Sequence, residues 1–169
     1  MEQTAKDEPG KERVHMKLTE RIKELESNLD LDLREALGIM EAVSEVFPMI
    51  VMANLTKNTY TMIRNDDFLA FDMPRSGCYD DLIDDGVENI HPNYQTAFLE
   101  CFSRENLLRK FYDGKTEVYS ELYQKGRDGK YQWVSTHVIR LQDEKGEIRQ
   151  ICLNRVLKGI VESRGGCRR

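Results

Sequence analysis

A chain of 169 residues has room for one domain of ordinary size and an extension, but not for two large cores. With 33% charged residues, 40% hydrophobic residues and a formal net charge of -5, it reads as a folded chain without the basic footprint that nucleic-acid binding requires. Residues 1–11 are polar and lack the apolar centre of a secretory signal, and no run approaches the roughly 18 apolar residues that span a bilayer, so a cytoplasmic setting without membrane contact is expected.

After that polar start, expected to be disordered over 1–11, Leu18, Ile22, Leu25 and Leu29 recur at spacings that place them on one stripe of a helix. The same register continues through Asp32, Ala36, Ile39, Val43 and Val46, with Asp32 as its polar break. Ser27 to Asp32 is turn-prone, and Asp32 with Glu35 forms a candidate capping box, so two helices are predicted, about Glu12 to Ser27 and Leu33 to Phe47. Pro48 ends the second, because it has no N–H to continue the ladder. The stripe either packs on the domain that follows or forms a seam between two chains.

From Met49 the period changes. Met49 to Leu55 and Thr59 to Arg64 read as two strands of a hairpin around Thr56-Lys57-Asn58. Asn65 to Gly77 is loop-like, Tyr79 to Ile83 a short helix, and Pro92 suits the first turn of a longer helix whose apolar face runs from Tyr94 to Phe111, with Ser103 as an internal cap and Gly114 at its end. Three strands follow, Thr116 to Gln124, Lys130 to Gln142 and Glu147 to Leu157, the first two joined at Asp128-Gly129, a strong hairpin signal.

No nucleophile with a neighbouring base, no metal-ligand cluster and no Gly-rich phosphate loop stands at recognisable spacing, so catalysis is not expected. His15, His91 and His137 fall in unrelated settings, and Asp81, Asp84 and Asp85 lack the ligand pattern of a calcium loop. Cys78, Cys101, Cys152 and Cys167 show no C-x-x-C pairing; they read as small, mostly core residues of a reduced compartment, with Cys78 and Cys167 open to oxidation. Asn54-Leu55-Thr56 matches a glycosylation acceptor, which has no chemistry without a secretory route.

Two strands, a run of helices and three antiparallel strands form an α+β arrangement that resembles the PAS fold, a five-stranded antiparallel sheet with flanking helices. The residues add to the resemblance: Ile90-His91-Pro92 looks like the PAS "vHPeD" segment, and Gly126 to Val134 (GRDGKYQWV) looks like the "kDGsyrWv" hairpin. The likeness covers roughly 47–158 and is similar to PAS modules of bacterial signalling proteins, many of which precede diguanylate cyclase or histidine kinase domains. Leu157-Lys158-Gly159-Ile160 stands where the family carries its Asp-Ile-Thr exit.

The resemblance divides the chain into a start (1–11), a helical signalling segment (12–47), a PAS domain (48–158) and a tail (159–169). It implies a sensory module that binds a small ligand, dimerises, or both, to regulate a cyclase or kinase effector expected on another chain or beyond this one. The alternatives are a ligand-free interaction scaffold and a regulatory fragment of a larger enzyme. Haem is disfavoured because His91 precedes the longer helix as its cap and residues 93–111 hold no histidine; LOV-type flavin is disfavoured because no cysteine lies in an Asn-Cys-Arg-Phe setting.

The resemblance places any ligand between the sheet and its helices. Polar residues in apolar strands are the candidates for its hydrogen bonds, namely Asn54, Thr136 and Asn154, with Trp133 as a packed anchor or a ligand platform. Strand alternation puts Trp133 and Thr136 on opposite faces, and either face could be the concave one. The candidate homodimer seam is Leu18, Ile22, Leu25 and Leu29.

Overall fold

The computed structural model describes residues 8–66, 68–70, 72–141, 146–158 and 166–167. The chain divides into two compact units, Met1–Val43 and Ser44–Arg169. The first is helical: α1 runs unbroken over Glu8–Val46, 39 residues. Two helices were expected here, but nothing between Ser27 and Asp32 is a Gly or a Pro, and the modest cost of Ser, Asn and Asp in a helix interior does not break one. Its first turn also takes in part of the expected disordered start; residues 1–7 and most of the tail, with the departure at Gly159-Ile160, lie outside the described residues.

The second unit carries one antiparallel sheet. Its five long strands are β1 (Met49–Asn54), β2 (Thr59–Asn65), β4 (Glu117–Lys125), β5 (Tyr131–Leu141) and β6 (Arg149–Val156), and two short strands, β3 (Ser76–Cys78) and β7 (Gly166–Cys167), lie at its edges. The order across the sheet is β3-β2-β1-β6-β5-β4-β7. Between the two groups of strands come α2 (Tyr79–Val87), a single 3-10 turn (Pro92–Tyr94), α3 (Gln95–Phe102) and α4 (Arg104–Tyr112). This is a PAS-like α+β architecture, with the five expected strands within a residue or two of their predicted bounds and two edge strands besides. β3 was read as loop because three residues carry no alternation; it is marked by Gly77, where a Cβ would stand 3.1 Å from Tyr60 Cε1.

Local chemistry explains the connections. Asp128-Gly129 turns β4 into β5, with Gly129 at φ +78. The helix predicted from Tyr94 to Phe111 divides at Ser103, whose backbone is extended at φ -58 and ψ 144. Ser103 does stand at the start of α4, but its hydroxyl accepts from Asn106 Nδ2 at 2.8 Å rather than capping a backbone N–H. At the far end Gly114 N–H donates to the Phe111 carbonyl and Lys115 N–H to that of Lys110, at 3.2 and 3.0 Å, the paired bonds of a Schellman ending.

α2 has no side-chain cap of its own. The β1–β2 turn supplies it: Asn58, in the left-handed conformation at φ 55, accepts from the Asp80 N–H at 3.1 Å and donates to Asp80 Oδ2 at 2.7 Å. Arg104 closes the same junction, donating to the Leu55 carbonyl at 3.1 Å and pairing with Asp80 at 3.3 Å. The first hairpin, α2 and the start of α4 are thereby held as one piece.

The helices cover one face of the sheet. Leu107 and Phe111 of α4 are fully buried, as are Leu55 and Val134 to within 1%. Phe111→Ala is expected to lower unfolding free energy by about 3–5 kcal/mol in urea titration, whereas Tyr112→Ala, one residue on, should change it by less than about 0.5 kcal/mol because Tyr112 is 73% exposed.

Candidate functional site

Strand register sets out the covered face in rows. Met49, Asn154, Thr136 and Ser120 stand opposite one another across β1, β6, β5 and β4. The next row is Val51, Cys152, Val138 and Val118, and beyond it Ala53 pairs with Gln150. A polar row and a buried amide thus interrupt an otherwise apolar face. Such groups cost free energy in a dry interior unless each finds a partner, so their bonding is informative.

A cavity of about 70 Å³ lies between these rows and the helices. The sheet contributes Met49, Val51, Thr136, Val138, Gln150 and Asn154, together with Cys152 and Gln124. The helical side contributes Tyr79, Leu82, Ile83 and Gly86 of α2 and Phe98 and Phe102 of α3, while Phe68, Leu69 and Ile90 come from the connections. None of these side chains is charged.

The polar groups form two sets. In the first, Thr136 Oγ1 donates to Asn154 Oδ1 at 2.7 Å, and Asn154 Nδ2 donates to Cys152 Sγ at 3.3 Å. In the second, Gln150 Nε2 donates to Tyr79 Oη at 3.3 Å, and the Tyr79 hydroxyl donates to the Phe102 carbonyl at 2.9 Å. Gln150 Oε1 is buried and has no partner; Ser120 Oγ, in the polar row, and Asn65 Oδ1, opposite Met49, share that condition.

Burial sets the protonation states. It pushes the Cys152 thiol up to about 11, against the opposing pull of the Asn154 amide, and drives the Tyr79 phenol above its ordinary value. Both are neutral at physiological pH. A raised thiol is a poor nucleophile, so Cys152 is a packing and hydrogen-bonding group. Among the described residues no cluster of three or more His, Cys, Asp and Glu could hold a metal ion.

Of the four residues singled out from sequence, Thr136 and Asn154 meet at the cavity and Asn54 and Trp133 stand elsewhere. Asn54 bonds Glu147 Oε2 at 2.6 Å and the Lys57 N–H at 3.0 Å, in a shallow groove with Lys57 and Arg149. It holds the turn, because the alternation of β1 turns it away from Val51. Trp133 is 7% exposed and packs edge-on against Tyr94 at 5.4 Å and beside Tyr123 at 5.3 Å, on the face opposite Thr136. The structure therefore makes the Thr136 face the one that bounds the cavity.

Gln150, Tyr79, Cys152 and Gln124 were missed. The signal was present in β6, where Gln150, Cys152 and Asn154 share a face at period two, but only the register with β5 shows that face to be covered. His91 sits where the sequence put it: Nδ1 accepts from the Asn93 N–H at 3.3 Å and the ring packs edge-on against Tyr131 at 5.0 Å. Cys101, fully buried, is disulfide-bonded and not the free core thiol expected, whereas Cys78 and Cys152 are free; the Cys167 side chain lies outside the described residues.

The seam residues are all exposed, Ile22 least at 47% and Leu29 most at 68%. No helix among the described residues is long and apolar enough to cross a membrane.

No family model matches the chain, and no curated protein matches it. Among solved structures, the chain is similar to a sensory box histidine kinase/response regulator from Burkholderia thailandensis E264, at 14% identity and a TM-score of 0.48, over 70% of this chain and 83% of that one.

Proposed function

We propose that this chain is a sensory module whose cavity takes a small ligand and whose α1 pairs with α1 of a second copy, the two together regulating an effector of the diguanylate cyclase or histidine kinase kind. The observation that carries the ligand half is the cavity itself: a polar row and a buried amide set into an apolar face, enclosed by helices. Apolar walls with a few convergent polar groups are the usual make-up of a small-molecule site.

The dimer half rests on α1. Leu18, Ile22, Leu25 and Leu29 stand exposed at heptad spacing on an unbroken helix. Past Leu29 an apolar row continues at Leu33, Ala36, Met40 and Val43, reached by a second consecutive four-residue step that leaves Asp32 off the seam. Such a stutter unwinds a coiled coil locally. In a parallel pair, Arg21 and Glu26 flank the seam with opposite charge across the two helices.

The cavity volume favours a second reading. At about 70 Å³ it falls well below the roughly 300–1,000 Å³ of drug-sized sites, as a ligand-free scaffold with a nearly filled core would. Native mass spectrometry of the purified chain, set against its denatured mass, separates the two. A reproducible added mass is the expected result; a species without added mass favours the scaffold.

Ile22→Asp and Leu25→Asp should each raise the dimer dissociation constant roughly a hundredfold or more, since a buried apolar side chain is lost from both helices. Sedimentation equilibrium measures this, and the thermal unfolding of the sheet unit should not move. A dimer unaffected by either substitution removes the seam from consideration.

A further inference from the structure

The hydrogen bonds around Gln150 determine which atom of its amide is unpaired. The Phe102 carbonyl can only accept, so the Tyr79 hydroxyl must spend its proton there, at 2.9 Å. The Tyr79 oxygen can then only accept, and the Gln150 atom 3.3 Å from it must be the NH₂. The orientation of the amide follows from chemistry: Gln150 Oε1 is left as a buried acceptor with no partner, on a residue that is 1% exposed and lines the cavity.

Of the other polar groups of the lining, Gln124 is only partly buried and the rest bond within the wall. Thr136 and Asn154 satisfy each other, and the Asn154 amide also meets Cys152. No cation or anion lines the space, so a charged ligand would lose its hydration without a counter-charge. The volume of about 70 Å³ has room for a compact molecule but not a drug-sized one.

We infer that the cavity selects a small, neutral hydrogen-bond donor, an alcohol or amide with a short apolar body, whose O–H or N–H bonds Gln150 Oε1. The inference rests on the cavity being the ligand site and adds the class of ligand. Ordered water can satisfy the same acceptor. Any ligand that displaces it must supply an equivalent donor or leave Gln150 unpaired, so the selection for a donor holds either way.

2-Propanol and acetone test this, because they share size and carbon skeleton and differ in the donor. Each is titrated into isotopically labelled protein while the Gln150 side-chain amide and the methyl groups of Val51, Leu82, Ile83 and Val138 are followed by NMR. 2-Propanol should bind about fivefold or more tightly than acetone. Gln150→Met, which keeps the bulk and removes the acceptor, should abolish the preference while still admitting both probes, its amide spectrum reporting that the fold is kept. Equal affinity of the wild-type protein for the two probes overturns the donor selection and leaves the ligand site standing. Absence of shifts with either probe overturns both. The wild-type comparison decides the question even if the variant fails to fold.

Discussion

The Tyr79 hydroxyl is the constraint on which the arrangement between sheet and helices depends. It is buried, where an unsatisfied O–H costs about 1–3 kcal/mol, and it is held from both sides, by the Phe102 carbonyl at the end of α3 and by Gln150 on β6. Two helices and a strand are thereby fixed at hydrogen-bonding distance from one atom. The Phe102 carbonyl is free to accept because α3 ends there: the chain turns extended at Ser103, so the carbonyl does not pass into a continuing helix. The break at Ser103, invisible in the apolar periodicity, is what makes the tie possible.

From that tie the structure runs outward in two directions. Tyr79 is the first residue of α2, and its neighbour Asp80 is gripped by Asn58 and Arg104, so a displacement of Tyr79 bears on the first hairpin and on α4 as well. On the sheet side Asn154 has Arg155 beside it, whose guanidinium lies over the Phe47 ring at 5.8 Å, just past the end of α1. Pro48 is held by its carbonyl to the Asp66 N–H at 2.9 Å. The chain at Phe47-Pro48 is thus anchored one residue from the polar row.

The sequence revealed most of the fold because its strongest signals are local. Asp128-Gly129 names its own turn, Pro92 names a helix start, and alternation in the last three strands places their bounds to within a residue or two. What it concealed is non-local. Helix capping of α2 comes from Asn58, twenty-two positions away, so no cap motif stands before Tyr79. The six-residue interval from Ser27 to Asp32 looks like a turn by composition, yet a helix with good formers on both sides runs through it, because propensity differences of a few tenths of a kcal/mol per residue do not outweigh continuation. The site divided in the same way. Thr136 and Asn154 were legible as polar residues in apolar strands, while Gln150 needed the partner register, and Asn54 and Trp133 needed to be seen on the far face.

A small cavity limits what shape alone can distinguish, since one methylene more or less in an apolar pocket shifts binding by only about 1–3 kcal/mol. An unpaired buried acceptor discriminates differently: a molecule that brings no donor leaves Gln150 Oε1 desolvated and unsatisfied, and that loss is added to whatever the walls contribute. Gln150 is held by Tyr79, and Tyr79 by α3, so the acceptor is positioned before any ligand arrives and its alignment need not be created by binding. The atom that would read the ligand is therefore one bond removed from the atom that sets the spacing of the helices. On the proposed reading, a ligand bonded to Gln150 would bear on α2 through the Gln150–Tyr79 hydrogen bond.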